Sequence, residues 1–131
     1  MWDRDAAAAD AHEWMIRYIH AWETNDPDDI RSLFTRDAEY RDGPSERPWV
    51  GHDAILEGWL GQKDDPGTWS FDYELTAVDS DVAVVRGRTS YPTATEKSHS
   101  YDNLMVIRLA AGRATSFTDW WIIPDGSDAD A

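Results

Sequence analysis

The hydrophobic pattern divides the chain into a helical first part and a strand-rich second part. From about Asp5 to Thr24 the apolar residues recur at helical spacing and form one stripe, made of Ala11, Trp14, Met15, Tyr18, Ile19 and Trp22. Asn25-Asp26-Pro27 ends this helix and starts a second, short one, because aspartate is a good N-cap and proline suits the first helical position. The buried face of the second helix is predicted to consist of Ile30, Leu33 and Phe34.

Beyond the second helix, apolar and polar residues begin to alternate. This alternation predicts a short strand from Ala38 to Asp42, ended by Gly43-Pro44, and then a loop from Ser45 to Val50. Apolar residues at helical spacing predict a third helix from His52 to about Gly61.

After a polar, turn-rich break at residues 62–67, the rest of the chain is predicted to be strand. The four strands are Trp69–Val78, Val82–Tyr91, His99–Leu109 and Arg113–Ile123. Tight turns or the longer connection Pro92–Lys97 join them, which is typical of an antiparallel meander. Residues 125–131 are expected to be a frayed tail.

Three helices followed by a meander are an α+β arrangement. We expect the helices to pack in the concave face of a curved antiparallel sheet, giving a cone-shaped α+β barrel with an internal cavity. No repeat or second hydrophobic pattern interrupts the chain, so residues 1–131 are predicted to form a single domain.

Composition narrows the range of partners. The chain carries 26 acidic and 12 basic residues, a formal net charge of −14, which disfavours nucleic-acid and membrane partners because both are anionic. Cysteine is absent, and no apolar run approaches the ~20 residues of a membrane helix or the pattern of a signal peptide, so a cytoplasmic protein is expected. Eight tryptophans favour a core with polar margins and pocket walls.

One set of residues in the first part of the chain matches a known family: Arg17-Tyr18-Ile19-His20-Ala21-Trp22, Asp26, Ile30, Leu33-Phe34, Asp37-Ala38, Asp42-Gly43-Pro44-Ser45-Glu46, Gly51 and Ala54-Ile55. In these residues the chain resembles ketosteroid isomerase, a member of the nuclear transport factor 2-like superfamily. The meander matches only in outline. This pattern is widespread in the superfamily, so it indicates the fold more strongly than the reaction.

The resemblance implies roles for individual residues. Tyr18 falls at the position of the tyrosine that holds the enolate oxygen, and Asp42 at that of the aspartate that moves the proton. The second oxyanion residue, an aspartic acid, is replaced by Met105, so steroid isomerase activity is not expected. In SnoaL-like polyketide cyclases an aspartate on one of the last strands is the acid/base, and Asp119 is similar in place. Limonene-type epoxide hydrolases need Arg-x-Asp, and here the strand has Arg86-Gly87-Arg88.

Each candidate catalytic residue also has a structural interpretation. Tyr18 lies in the apolar stripe and could be a core tyrosine that bonds a backbone carbonyl. Asp42 shares a strand face with Tyr40 and could be a pocket base or the cap of the following turn. Asp119 alternates with aromatic residues and could be a proton-transferring acid or an acid at a strand edge.

Substrate contacts are predicted for seven further residues: His99, Tyr40, Trp22, Trp59, Tyr101, Met105 and Trp121. His99 has the alternative of a surface or core histidine. The four histidines show no spacing that suggests metal ligands, and no phosphate-binding loop is visible, so neither a metal nor a cofactor is expected.

We therefore expect an enzyme that performs cofactor-independent proton transfer on an apolar cyclic substrate, as an isomerase, cyclase or dehydratase. The alternative is a non-catalytic ligand-binding or dimerisation module on the same fold. A homodimer is expected through the outer face of the sheet, where Trp120 and Ile122 would otherwise lack a cover.

Overall fold

Three helices precede and cover a six-stranded sheet in the structure, a computed structural model that describes residues 2–43, 47–91 and 99–123. The elements are α1 (Arg4–Thr24), α2 (Pro27–Leu33), β1 (Phe34–Arg41), β2 (Trp49–Val50), α3 (His52–Gly61), β3 (Ser70–Asp79), β4 (Val82–Tyr91), β5 (His99–Ala110) and β6 (Arg113–Ile122). The predicted α+β fold is confirmed. The connection at residues 92–97 and the predicted tail at 125–131 lie outside the described residues.

The sheet is mixed and open, with strand order β2-β1-β6-β5-β4-β3. Strands β3 to β6 form the predicted antiparallel meander. Strand β1 pairs in parallel with β6, which brings Tyr40 level with Phe117. This pairing joins the helical part of the chain to the last strand, so both ends of the sequence contribute to one cavity wall.

The boundaries differ from the prediction mainly around β1. Phe34, expected on the second helix, is the first residue of β1, which begins four residues earlier than Ala38. Asp42 lies one residue beyond the end of the strand rather than within it. Residues 49–50, expected in a loop, pair with β1 as β2. None of the helices in the described part of the chain is long and apolar enough to cross a membrane.

Helix α1 is held in place by caps and by side-chain bonds to its neighbours. Asp3 caps its first turn, accepting from the backbone N–H groups of residues 5 and 6, and Asn25 ends it in a left-handed conformation. The indole N–H of Trp14 donates to the carbonyl of Leu33 over 2.9 Å. Arg17 donates to the carbonyls of Ser32 and Gly112, linking α1 to α2 and to the β5–β6 turn. These bonds set which face of α1 looks onto the sheet.

The core lies between α1 and the inner face of the sheet. Trp14, Met15, Phe34 and Phe117 are fully buried there. Along β6 the inward side chains are Phe117, Asp119 and Trp121, as the alternation of the strand requires. The core is dense at Phe117 and opens into a cavity towards Trp121.

Candidate functional site

A cavity of about 440 Å³ lies where the C-terminal end of α1 meets β1, β4, β5 and β6. Twelve of the described residues line it, and eight of these are aromatic: Tyr18, Trp22, Tyr40, Asp42, Trp49, Trp59, Gln62, Lys63, Asp64, Tyr91, Tyr101 and Trp121. The volume suits a small organic ligand. Among the described residues, no group of three or more histidines, aspartates or glutamates is arranged to hold a metal ion.

Two tyrosines contribute to the wall of this cavity. Tyr18 comes from α1 and Tyr40 from β1, and the two side chains lie close enough for each to affect the pKa of the other. Tyr18 stacks on Trp14 with ring centres 5.3 Å apart, and Tyr40 stacks on Trp49 at 4.8 Å. Both rings are therefore held by neighbours, which fixes where their hydroxyl groups point.

Burial raises the pKa of both tyrosines well above the usual value. For Tyr18 the next largest causes are the nearby Tyr40 and Asp119, and for Tyr40 they are Asp119 and Asp42. Both groups consequently remain protonated across the physiological pH range. The pair is a source of neutral O–H donors inside an aromatic cavity.

Asp42 lies at the rim of the cavity. It follows directly on β1, is exposed, and still lines the cavity beside Tyr40. Its charge contributes to raising the pKa values of Tyr18, Tyr40 and Asp119. A carboxylate that acts on all three groups lies within electrostatic range of the whole polar part of the site.

Asp119 is fully buried on β6 and does not line the cavity. The amide of Asn103 donates to its Oδ1 over 3.1 Å, and the hydroxyl of Thr89 donates to the Asn103 oxygen over 2.7 Å. Burial raises the pKa of Asp119 well above the usual value, while the Asn103 bond opposes the shift and Asp42 adds to it. Asp119 is thus an enclosed acid directly behind the polar wall, with a strong tendency to be neutral.

The other predicted contact residues are divided between the cavity and the core. Trp22, Trp59, Tyr101 and Trp121 line the cavity together with Tyr40. Met105 is fully buried and lies opposite Asp119 in the β5–β6 register, away from the cavity lining. His99 begins β5, and its side chain lies outside what the structure describes.

The fold and site can now be set beside known proteins. The sequence profile of the SnoaL-like domain matches residues 15–117, which is most of the chain. The chain belongs to the SnoaL-like domain family. A search of curated proteins gives no match.

Solved structures of low sequence identity share the fold. A candidate SnoaL-like polyketide cyclase from Jannaschia sp. CCS1 is 15% identical with a TM-score of 0.71, covering 92% of this chain and 91% of that one. A ketosteroid isomerase-like protein from Erwinia carotovora atroseptica SCRI1043 is 21% identical with a TM-score of 0.62, covering 86% and 94%. An NTF-2 like protein of unknown function from Burkholderia xenovorans LB400 is 12% identical with a TM-score of 0.71, covering 93% and 90%.

The loop at residues 62–67 closes one side of the cavity, and this role was not predicted from the sequence. Asp64, in the stretch taken as a turn-rich break, accepts from the indole N–H of Trp22 over 3.0 Å and from the Tyr91 hydroxyl over 3.1 Å. Asn25 donates to the Asp64 carbonyl and accepts from the indole N–H of Trp59. Nothing local marks Asp64, because its partners come from α1 with its C-cap and from β4. Lys63, Gln62, Tyr91 and Trp49 are further lining residues that were not singled out.

Trp49 reaches the cavity wall because α3 carries a glycine where the ring packs. A Cβ atom added to Gly58 would lie 2.4 Å from the Trp49 ring. The indole therefore lies directly against the helix backbone and offers its other side to Tyr40. A glycine in the middle of a predicted helix, opposite a tryptophan in a predicted loop, is the signal that could have located this wall.

Proposed function

We propose that the protein is a cofactor-independent enzyme that transfers a proton on an apolar cyclic substrate bound in this cavity, as an isomerase, cyclase or dehydratase. The observation that carries the proposal is the Tyr18–Tyr40 pair, which lines the same aromatic cavity as Asp42. Proton donors and a base on one small cavity are the minimum that such chemistry requires.

In this proposal the tyrosine pair stabilises negative charge that develops on a substrate oxygen. The raised pKa values keep Tyr18 and Tyr40 protonated, so each can donate a hydrogen bond to an enolate rather than repel it. Because the rings are packed against Trp14 and Trp49, the donors need no rearrangement when charge develops.

Asp42 is assigned the role of base. It is the acidic lining residue closest in sequence to the tyrosine pair, and its exposure lets it exchange protons with water. Asp119 is assigned a supporting role. A neutral acid behind the tyrosines leaves the oxygen-binding wall without a second fixed negative charge.

Hydrogen–deuterium exchange tests the proposal without knowledge of the natural substrate. A panel of cyclic ketones is incubated with the protein in D₂O, and loss of the α-proton signals is followed by NMR. We expect at least one ketone to exchange faster than in buffer, and Asp42→Asn to slow that exchange by roughly 10²-fold or more. Asp37→Asn is the matched control, since Asp37 is an exposed acid on β1, the strand that Asp42 follows, and does not line the cavity.

Full activity in Asp42→Asn would contradict the assignment of the base. Tyr18→Phe should also slow exchange, by roughly 10–10³-fold, through loss of an oxyanion donor. Turnover of a Δ5-3-ketosteroid should be absent or very weak, because Met105 cannot donate a hydrogen bond. Fast steroid turnover would contradict the placement of Met105 at the second oxyanion position.

One observation favours a non-catalytic ligand-binding module as the second candidate. Asp119, the acid that resembles the polyketide cyclase acid/base, is enclosed behind the cavity wall rather than on it. Under this alternative the cavity binds ligands tightly while no ketone in the panel exchanges faster than in buffer.

We also propose that two copies associate through the outer face of the sheet. Ile122 is 46% exposed there, and Leu104 and Trp120 are paired across β5 and β6 on the same face. An exposed apolar face of this kind is typical of an interface. Light scattering at micromolar concentration should give the mass of a dimer, and Trp120→Lys should give that of a monomer; a wild-type monomer would contradict the proposal.

A further inference from the structure

Four aromatic rings at one side of the cavity form a chain of edge-to-face contacts that we call the aromatic box. Its members are Trp22, Trp121, Tyr101 and Tyr91, all of which line the cavity. Successive rings stand nearly at right angles: the interplanar angle is 80° between Trp22 and Trp121, 79° between Trp121 and Tyr101, and 81° between Tyr101 and Tyr91. The ring faces therefore point in different directions around the box.

Asp64 links the first and last rings of the aromatic box, Trp22 and Tyr91, by hydrogen bonds. Its Oδ2 accepts from the indole N–H of Trp22 and from the hydroxyl group of Tyr91. Both bonds use the polar edge of a ring, so they orient the two rings and keep a carboxylate beside them. An anionic group next to several π faces is the combination that attracts a cation, because ring faces carry partial negative charge.

The charges around the cavity also favour a cationic ligand. Among the residues that the structure describes, the cavity lining includes two carboxylates, Asp42 and Asp64, and one cation, Lys63, which leaves a net charge of −1. Lys63 is exposed, so water screens its charge more than that of the half-buried Asp64. The chain as a whole carries −14, which steers cations towards the protein and anions away from it.

We propose that the cavity takes a ligand that carries a positively charged nitrogen, quaternary or protonated, on an apolar cyclic body. The nitrogen lies in the aromatic box beside Asp64, and the cyclic body extends along the aromatic wall towards the Tyr18–Tyr40 pair. This inference rests on the proposed function in so far as it names the class of substrate for the same cavity. It adds that charge, and not only apolar shape, selects the ligand.

A set of three probes of the same size separates charge from shape. 3-(Trimethylammonio)phenol and 3-tert-butylphenol differ only in a charged nitrogen or a neutral carbon, and 3-hydroxybenzenesulfonate supplies the anion. Binding is followed at low salt by quenching of tryptophan fluorescence and by calorimetry. We expect the cation to bind at least roughly tenfold more tightly than the neutral probe, and the anion to bind more weakly than both.

Substitutions in the 62–67 loop test whether Asp64 causes the preference for the cationic probe. Asp64→Asn should abolish most of the preference for the cation, while the affinity for 3-tert-butylphenol, which reports whether the cavity survives, should stay within roughly twofold. Asp65→Asn is the matched control, because Asp65 is the exposed neighbour that does not line the cavity. Trp121→Leu should weaken cation binding more than neutral binding, through loss of one π face.

Equal or tighter binding of the neutral probe would overturn the cation proposal. In that case, binding of 3-tert-butylphenol together with ketone exchange would leave the proposed proton transfer standing. If the cation is preferred while no ketone exchanges, the ligand class stands and the catalytic proposal fails. Retention of the full cation preference in Asp64→Asn would also contradict the role of the aromatic box.

Discussion

The two ends of the space under α1 are built from the same residue types and differ in whether that space is filled. At the closed end, Trp14 packs against Phe34 and Phe117 and is fully buried, with its N–H bonded to a backbone carbonyl. At the open end, two turns further along the helix, Trp22 stacks on Trp69 and meets Trp121 edge to face beside a cavity. Aromatic content by itself therefore does not distinguish the core from the site; the unfilled space and the partners of the indole N–H groups do.

The difference predicts unequal costs for removing tryptophans at the two ends. Trp14→Ala should lower the free energy of unfolding by about 3–5 kcal/mol, because the site is densely packed and an N–H bond is lost as well. Trp121→Ala should cost clearly less, since its half-buried ring borders space that is already empty. Urea denaturation of both variants measures this, and equal costs would show that the open end is packed like the core.

The cavity wall at the open end can be disturbed from α3. Gly58→Ala should lower stability by about 1–3 kcal/mol and weaken the binding of any cavity ligand, because the new Cβ displaces the Trp49 ring. Gly61→Ala is the matched control: no atom lies within 4 Å of a Cβ there, and alanine is the better helix former. If Gly58→Ala were as stable as the control, Trp49 would not be packed against the helix.

Asp119 lies between the closed end and the open end. The pH dependence of the free energy of unfolding shows whether its carboxyl group is enclosed or hydrated. Its pKa is raised in the folded state, so its contribution to stability is full below the unfolded pKa of about 3.9 and is lost as pH rises towards the folded value. Over that window the wild type should lose about 1.4 kcal/mol per pH unit relative to Asp119→Asn.

Urea denaturation of both proteins at a series of pH values tests this. The two stability curves should run parallel below pH ~4 and diverge above it. Curves that stay parallel up to neutral pH would mean that Asp119 is hydrated, as a group on the open cavity would be.

An effect smaller than that of Trp14→Ala is expected from the bond that orients Asn103. Thr89→Val keeps the shape but leaves the buried Asn103 oxygen without its 2.7 Å partner, which should cost about 1–3 kcal/mol. Thr115→Val is the control, since that hydroxyl bonds a carbonyl at an exposed position. Equal costs for the two variants would show that the Thr89–Asn103–Asp119 chain is not an enclosed network.

Helices and strands could be predicted from the sequence where apolar residues recur at a regular spacing and turn residues mark both ends. Helix α3 and strand β4 have the predicted bounds, because apolar periodicity and flanking turn residues agree there. The start of β1 could not be predicted. Phe34 follows Ile30 by four positions and continues the helical stripe, while Arg36 and Asp37 are exposed and break the alternation that would have marked a strand.

The candidate site was predictable only where one element decides a residue's direction. The stripe of α1 determines that Tyr18 and Trp22 face inward, and alternation determines that Tyr40 and Trp121 share their faces with Ala38 and Phe117. The same parity places Asp119 on the inner face, but it does not show that other side chains separate Asp119 from the cavity.

By itself, then, the sequence determined the α+β order of elements, the inward faces of α1 and β6, and a strongly anionic surface, because these depend on local spacing and composition. Only the tertiary structure decided the parallel pairing of β1 with β6, the burial of Asp119 and the anchoring of Asp64 to Trp22 and Tyr91. Each of these joins residues far apart along the chain, and the free energy that selects such contacts comes from packing between elements, which no local pattern encodes.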